Sequence, residues 1–239
     1  MITITEVTTK KGLKKFVKFP FKLYKNNKYW VPPIIKEELD SFDKKINPVF
    51  EHAEARFFLA YKNNTVVGRV ATIINWTEVN EQKIKKMRFG WFDMIDDMEV
   101  TKVLLNKVNE IGKENNLEFM EGPVGFSNMD KVGILTKGYK ELSTMITWYN
   151  YAYYKEHVEN LGFKKSQNFL ETYFYFKDVD ITKYKRYAKI VKKRYELKPL
   201  NFTTTDEIMP YVKEMFSLFN TSYERLPSFV PISDKQIEY

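Results

Sequence analysis

The chain has 239 residues, and its 39 Lys and Arg against 31 Asp and Glu give a formal net charge of +8 at pH 7. Hydrophobic residues make up 44% and aromatic residues 16%, a composition that supports a large core and excludes intrinsic disorder. Without Cys there is no disulfide or thiolate nucleophile, and two His leave almost no scope for a metal site. Neither a signal peptide nor a run of about 18 apolar residues is evident, so a cytoplasmic location is expected by default.

Hydrophobic spacing predicts a mixed order of strands and helices. Apolar residues three and four apart indicate amphipathic helices, whereas branched or aromatic runs beside Asn or Gly indicate strands and turns. In the first helix, Thr9 is the candidate N-cap and Pro20 a candidate kink. In chain order we predict a strand at Ile2 to Val7, a helix from Thr9 to Asn26, a short helix at Ile34 to Phe42, a hairpin of Phe57 to Tyr61 and Val66 to Ile74, a strand at Met87 to Ile95, a helix at Met98 to Asn115, a strand at Glu118 to Glu121, a helix at Tyr153 to Leu161, and one or two last strands within Phe163 to Phe176.

Several short motifs point to a known superfamily. Two of them are the hairpin Phe58-Leu59-Ala60-Tyr61 through Val66-Val67-Gly68-Arg69-Val70 and the helix end Asn160-Leu161-Gly162-Phe163. Both resemble the GNAT superfamily of acyl-CoA-dependent N-acyltransferases. Uncharacterised bacterial proteins with tandem GNAT-like halves are also similar, through Tyr29-Trp30-Val31-Pro32-Pro33, Glu121-Gly122-Pro123-Val124-Gly125-Phe126 and Tyr149-Asn150-Tyr151. The resemblance implies an α/β (α+β) fold with a mixed, largely antiparallel sheet flanked by helices.

Part of the N-terminal sequence pattern recurs near the C-terminus. Phe16-Val17-Lys18, followed by Phe21, Leu23 and Tyr24, has a counterpart in Tyr211-Val212-Lys213, followed by Phe216, Leu218 and Phe219. We therefore predict a GNAT-like domain over residues 1–178, a basic linker helix over 179–196, and the first strand and helix of a second, truncated module over 197–239. The second module of a longer parent chain would then be a packing partner. Chance similarity between aromatic helices is the alternative.

The segment just before the Met98 to Asn115 helix is where an acyl-CoA cofactor would be bound. The resemblance implies a Q/R-x-x-G-x-G/A loop here, whose backbone N–H groups wrap the pyrophosphate of acetyl-CoA or another acyl-CoA at a helix N-terminus. The chain instead has Met94-Ile95-Asp96-Asp97-Met98-Glu99-Val100, with no glycine, no basic residue and three carboxylates. Asp96 or Asp97 is more simply interpreted as the N-cap of the helix.

Candidate catalytic and binding residues follow from the same comparison. Val158 stands where many superfamily members have a Tyr general acid, which leaves Tyr153 and Tyr154 as candidate proton donors. Glu121 is the candidate base, because it ends a strand just before a loop whose glycines would let a ligand approach backbone N–H groups. Ordinary turn chemistry and aromatic packing are the alternatives. The predicted site is Glu121 and Tyr154 as catalytic residues, Gly122, Gly125, Ser127, Asn128, Asp130, Tyr149 and Asn150 as substrate-binding residues, and no metal ligand.

Two function classes remain open from the sequence. The first is an N-acyltransferase-like protein that moves an acyl group from acyl-CoA to a small-molecule amine, with this chain as its degenerate or acceptor-binding half. The second is a non-catalytic binding protein whose basic amphipathic helix, Asp180 to Glu196, binds nucleic acid or an anionic membrane surface. Nucleic acid is disfavoured, because most basic residues are Lys and no recognised nucleic-acid motif accompanies them.

Overall fold

The computed structural model describes residues 1–127 and 130–239. Its five-stranded sheet has the strand order β1-β2-β3-β4-β5, antiparallel throughout except for the parallel pair β4 and β5. The strands are β1 (Ile2–Glu6), β2 (Ala53–Lys62), β3 (Thr65–Asn75), β4 (Lys86–Met94) and β5 (Phe119–Glu121). The helices are α1 (Lys10–Leu23), α2 (Ile35–Ser41), α3 (Trp76–Asn80), α4 (Met98–Glu114), α5 (Tyr153–Asn160), α6 (Ile181–Arg194), α7 (Thr205–Tyr223) and α8 (Asp234–Glu238). The predicted fold class, a mixed and largely antiparallel sheet flanked by helices, is confirmed.

The sheet separates two apolar layers. On one face α4 buries Val100, Leu104 and Val108 against β3 and β4, and on the other α1 buries Phe16 and Val17. Full burial of one such side chain contributes about 1.5–3 kcal/mol, so these layers hold both helices to the sheet. Close packing of α4 depends on a glycine in β3, since a Cβ at Gly68 would lie 2.8 Å from Leu104 Cδ1.

The strands β4 and β5 separate soon after they pair. Their register runs only from Lys86 opposite Phe119 to Arg88 opposite Glu121. One further hydrogen bond, from Val124 N to Phe89 O at 2.8 Å, precedes the point where the chain turns away. The rest of β4, with Trp91 at a φ of 43°, therefore has no parallel neighbour in the described residues.

The helix ends agree with the capping predicted from the sequence. Thr9 Oγ1 accepts the Gly12 N–H at 3.0 Å, and Asp97 Oδ1 accepts the Glu99 N–H at 3.0 Å. Gly162, at a φ of 87°, ends α5, with the Phe163 N–H bonded to Val158 O and the Gly162 N–H bonded to Glu159 O. This is the Schellman arrangement, in which a residue with positive φ satisfies the last carbonyls of the helix.

The prediction of last strands within Phe163 to Phe176 is wrong. Residues 164–175 form no strand, and Leu170, Tyr173 and Phe176 are exposed. An alternating apolar pattern becomes a strand only where a sheet edge supplies hydrogen-bond partners, and β5, the neighbouring edge, has only three residues. Residues 197–204 likewise form no strand before α7. The division into two modules therefore stays a prediction.

Helix α6 begins and ends close to the predicted basic helix, with Asp180 as its N-cap. Its apolar stripe is exposed, as Tyr184, Tyr187 and Val191 show. The final segment instead packs on the sheet: Phe229 and Val230 are buried, and Ser228 O accepts a hydrogen bond from Arg88 Nη2 at 2.9 Å. No helix in the described residues has both the length and the apolar character needed to cross a bilayer.

Candidate functional site

A cleft lies between α1, α2, the free end of β4 and the segment 131–149. Its empty volume is about 550 Å³, including the open solvent at its mouth. Six aromatic and four charged side chains line it. The lining residues are Pro20, Tyr24, Tyr29, Trp30, Val31, Pro33, Glu38, Arg69, Trp91, Asp93, Lys131, Ser143, Thr144, Thr147, Trp148 and Tyr149.

A buried ion pair forms the floor of the cleft. Arg69 on β3 lies opposite Asp93 on β4 in the register, and Arg69 Nε donates to Asp93 Oδ2 at 2.7 Å. Arg69 Nη1 also donates to Phe16 O at 3.0 Å, which ties the pair to α1. Both side chains are at least nine-tenths buried. Removing either one would leave an unpaired buried charge, which is far more costly than an unpaired surface charge.

Two tyrosines extend this pair into a network. Tyr24 Oη donates to Asp93 Oδ1 at 2.8 Å and lies 2.8 Å from Tyr154 Oη. Tyr154 Oη accepts the Met94 N–H at 3.2 Å, and Tyr153 Oη donates to Met94 O at 2.6 Å. Burial, together with the charge of Asp93, raises the pKa of both Tyr24 and Tyr154 well above the usual phenol value. The last polar groups of β4 are therefore bonded within the chain.

Glu38 and Lys131 differ from this network, because they retain uncommitted atoms. Trp91 Nε1 donates to Glu38 Oε2 at 2.8 Å, but in the described residues Oε1 has no hydrogen-bond partner, and neither has Lys131 Nζ. Burial raises the pKa of the Glu38 carboxyl, against the opposing effects of Arg69 and Trp91. Burial lowers the pKa of the Lys131 ammonium, although Glu38 and Asp93 favour its charged form.

This arrangement suits proton transfer at a bound polar group. A general base works best when its pKa lies near the operating pH, and burial shifts the pKa of Glu38 in that direction. Trp30, Trp91 and Trp148 line the cleft, and indole rings can bind a cation or an alkyl chain. The cleft therefore combines a carboxyl with a free oxygen and aromatic walls.

The predicted catalytic residues lie in two other places. Tyr154 is fully buried in the tyrosine network and does not line the cleft. Glu121 Oε2 accepts from Lys86 Nζ at 2.8 Å and from Ser228 Oγ at 2.7 Å. Burial alone would raise the pKa of Glu121, but these hydrogen bonds hold that pKa below its usual value. A carboxylate with a lowered pKa is a weak base. The catalytic roles of Tyr154 and Glu121 stay predictions.

The predicted glycine-bearing loop is packed against the chain's own atoms. A Cβ at Gly122 would lie 2.4 Å from Phe89 O, and one at Gly125 would lie 2.2 Å from Asp130 Cβ. Asp130 Oδ2 accepts the Ser127 N–H at 2.9 Å, and burial raises the pKa of Asp130. Asn128 lies outside the described residues. The space beside Gly122 and Gly125 is thus filled by atoms of the loop itself and of β4.

Of the predicted substrate-binding residues, Tyr149 lines the cleft. Its hydroxyl accepts from Asn27 Nδ2 at 2.8 Å and donates to Tyr139 O at 3.2 Å. The neighbouring Asn150 is buried and bonds both the N–H and the C=O of Leu135, so it fixes the segment that forms one wall. The sequence did contain one signal for the floor of the cleft, since Arg69 is the single charge within the otherwise apolar and polar-neutral strand β3.

The N-terminus of α4 does not fit the pyrophosphate of acyl-CoA. Asp97 caps it and pairs with Lys62 at 2.8 Å, while Asp96 Oδ1 lies 3.2 Å from His157 Nε2. Two like charges ~4 Å apart repel by about 4 kcal/mol at an effective dielectric near 20, so the carboxylates oppose an incoming anion. The free end of β4 is also covered, because Tyr153 and Tyr154 take the Met94 carbonyl and N–H.

Two curated proteins are similar to the chain in sequence. It is 25% identical over 228 residues to Protein YghO of Escherichia coli, which covers 95% of this chain and 57% of that protein. It is 28% identical over 170 residues to the bacterial ceramide synthase of Caulobacter vibrioides, which covers 70% of this chain and 44% of that protein. The chain thus spans about half the length of these relatives. No family model matches it.

Acetyltransferases are among the solved structures similar to the chain. One is a Clostridium acetobutylicum protein described as a predicted acetyltransferase and solved with acetyl-CoA. Its TM-score is 0.44 at 14% sequence identity, and the match covers 72% of this chain and 96% of that one.

Proposed function

We propose that this chain is the acceptor-binding part of an N-acyltransferase, and that Glu38 takes the proton from an amine bound in the cleft. The observation that carries the proposal is the Glu38 carboxyl itself, which has a raised pKa and one oxygen without a partner in the described residues. Asp93, by contrast, is buried and bonded through both of its oxygens, whereas Glu38 is half-buried and keeps one oxygen for a ligand.

The chemistry required of the cleft is simple. An amine enters as an ammonium ion and becomes a nucleophile only after it loses a proton. The free oxygen of Glu38 accepts that proton, while the Trp91 indole N–H holds the other oxygen in place at 2.8 Å. Aromatic faces on Trp30 and Trp148 stabilise the cation before deprotonation, by about 0.5–2 kcal/mol for each well-placed ring. The neutral amine then attacks the thioester carbonyl of the acyl-CoA; the C–N bond forms, the C–S bond breaks, and CoA leaves as the thiol with the second proton of the amine nitrogen.

The likeness to a ceramide synthase supports an amine as the acceptor, because a ceramide is an amide. The poor fit of the α4 N-terminus supports the companion proposal that this half is degenerate as a donor site. In the protein that performs the whole reaction, the acyl donor would be held by residues other than Asp96, Asp97 and Glu99.

Isothermal titration calorimetry tests the proposal with three ligands: octylamine, octanol and acetyl-CoA. We expect octylamine to bind and octanol to bind more weakly, since octanol lacks the charge. Glu38→Gln should weaken octylamine binding about 10-fold or more, because it removes a hydrogen bond between two charged groups, and such bonds contribute about 1.5–3 kcal/mol. Glu121→Gln, a matched change outside the cleft, should leave it unchanged.

Two results would count against the proposal. Equal affinity of wild type and Glu38→Gln for octylamine would remove Glu38 from the site. Micromolar binding of acetyl-CoA to this chain would overturn the degenerate donor site, whatever the amine does.

A further inference from the structure

The outer face of α1 is a strongly basic helical surface. Its sequence, KKGLKKFVKFPFKL, contains six lysines and no acidic residue. At about 100° per residue, the six lysines fall within roughly 140° of the helix surface, and the buried residues lie on the opposite side. We call this surface the lysine face; its members are Lys10, Lys11, Lys14, Lys15, Lys18 and Lys22, all exposed.

The charge of the lysine face is not neutralised within the chain. Other lysines, such as Lys36, Lys62 and Lys107, pair with carboxylates. In the described part of the chain, no lysine of the lysine face forms an ion pair. Six uncompensated cations on one rigid helix repel one another, so the surface favours an anionic partner.

An exposed apolar segment lies beside the lysine face. Trp30 contacts Phe21 of α1, with ring centroids 5.2 Å apart, and the residues that follow it include the exposed Val31 and Ile34. Tyr29, Trp30 and Val31 also line the cleft. A Trp and short aliphatic side chains next to lysines are typical of protein surfaces that enter the headgroup layer of a bilayer.

We propose that the lysine face and the segment Tyr29 to Ile34 form a surface that binds an anionic lipid bilayer, with the mouth of the cleft turned toward the membrane. The lysines supply long-range attraction to the headgroups, and Val31 and Ile34 enter the outer edge of the acyl region. The proposal stands on α1 and its neighbours and does not depend on acyl transfer.

Lysine chemistry favours a membrane over a nucleic acid. A lysine ammonium is a hydrated point charge suited to a diffuse layer of headgroups, whereas arginine supplies the bidentate contacts that read phosphate and bases. There is no arginine in α1. The adjoining apolar side chains, Val31 and Ile34, would gain nothing from a phosphate backbone but do gain from a lipid interface.

Vesicle co-sedimentation of the full chain tests this surface. The probes are phosphatidylcholine vesicles with and without phosphatidylglycerol, in rising NaCl. We expect binding only to the anionic vesicles, weakening with salt. Replacing Lys11, Lys14, Lys15 and Lys18 by Gln should lower the partition coefficient about 600-fold, since each lysine near the surface contributes about fivefold. The same four positions changed to Arg should retain binding, which shows that charge and not a folding defect is responsible.

A matched variant on α6 separates the two basic helices. Changing Lys183, Lys185, Lys189 and Lys192 to Gln removes the same charge from the other basic helix and should leave vesicle binding within about twofold of wild type. Val31→Asp with Ile34→Asp should weaken binding without altering circular dichroism. Three results would each overturn the proposal. They are loss of vesicle binding in the α6 variant, an equal loss in the α1 and α6 variants, and binding of duplex DNA or RNA in place of vesicles.

Discussion

Two polar clusters lie side by side along β4, and they differ in how fully their atoms are bonded. Around Asp93, both carboxylate oxygens, two tyrosine hydroxyls and the backbone of Met94 are bonded to one another. In the cleft above it, Glu38 and Lys131 each keep an atom without a partner among the described residues. A buried network in which every polar atom is hydrogen-bonded contributes rigidity. A charged side chain that lacks some of its hydrogen bonds lowers stability, and such groups are typical of sites where a ligand supplies the missing bonds.

The largest expected effect is on the bonded cluster. Arg69→Met would leave the Asp93 carboxylate buried and without its cation, so we expect a loss of about 3–5 kcal/mol in the free energy of unfolding. Urea denaturation followed by circular dichroism measures this loss. The double variant Arg69→Met with Asp93→Asn should recover part of it, because the unpaired charge is gone. A loss below 1 kcal/mol for the single variant would mean that water reaches the pair.

This cluster shows what the sequence could and could not predict. Periodicity and capping residues predicted the five strands and the helices α1 and α4 that pack on them, because burial of one face imposes a regular apolar spacing, but they missed the short helix α3. Arg69 is the single charge of β3, and Asp93 is the single acidic residue of β4. Their pairing could not be predicted, since it depends on the register of β3 with β4, which shifts by a bulge between Arg69 and Ala71.

Tyr154→Phe is expected to have the next largest effect. The change leaves the Met94 N–H without its acceptor in a buried position, so we expect a loss of about 1–3 kcal/mol in the free energy of unfolding. Amine binding in the cleft should not change. Tyr195→Phe, an exposed control, should be neutral. If Tyr154→Phe instead abolished amine binding at unchanged stability, Tyr154 would belong to the site and the contrast between the clusters would fail.

Glu38 could not be recognised from the sequence. It lies in a short, acidic helix between Glu37 and Asp40, where a solvated carboxylate is the ordinary expectation. Its partial burial comes from the contact of α2 with Trp91, which lies at the bulged part of β4. The predicted loop residues failed to define the cleft for a related reason. Glycines that serve close packing within the chain look the same in sequence as glycines that admit a ligand.

We expect Glu38→Gln to have the smallest effect on stability. The direction of the change tells whether the Glu38 carboxylate is unfavourable in the folded chain. Because burial raises the pKa of Glu38 in the folded chain, its contribution to stability is complete below the ordinary glutamate pKa of about 4.3 and is lost as the pH rises through the raised value. The Gln variant has no such loss. Its melting temperature should therefore match wild type at low pH and exceed it near neutral pH. A variant that is less stable than wild type at neutral pH would place Glu38 in the bonded cluster.

The most direct measurement of the central claim is the indole N–H signal of Trp91 in a two-dimensional NMR spectrum. Trp91 Nε1 donates to Glu38 at 2.8 Å, so its proton reports on the ionisation of that carboxyl and on anything that binds it. We predict that this signal titrates above the ordinary glutamate range, that octylamine moves it in a saturable way, and that both effects disappear in Glu38→Gln. A signal that titrates near 4.3 and ignores octylamine would contradict the claim that the cleft is an amine-binding site.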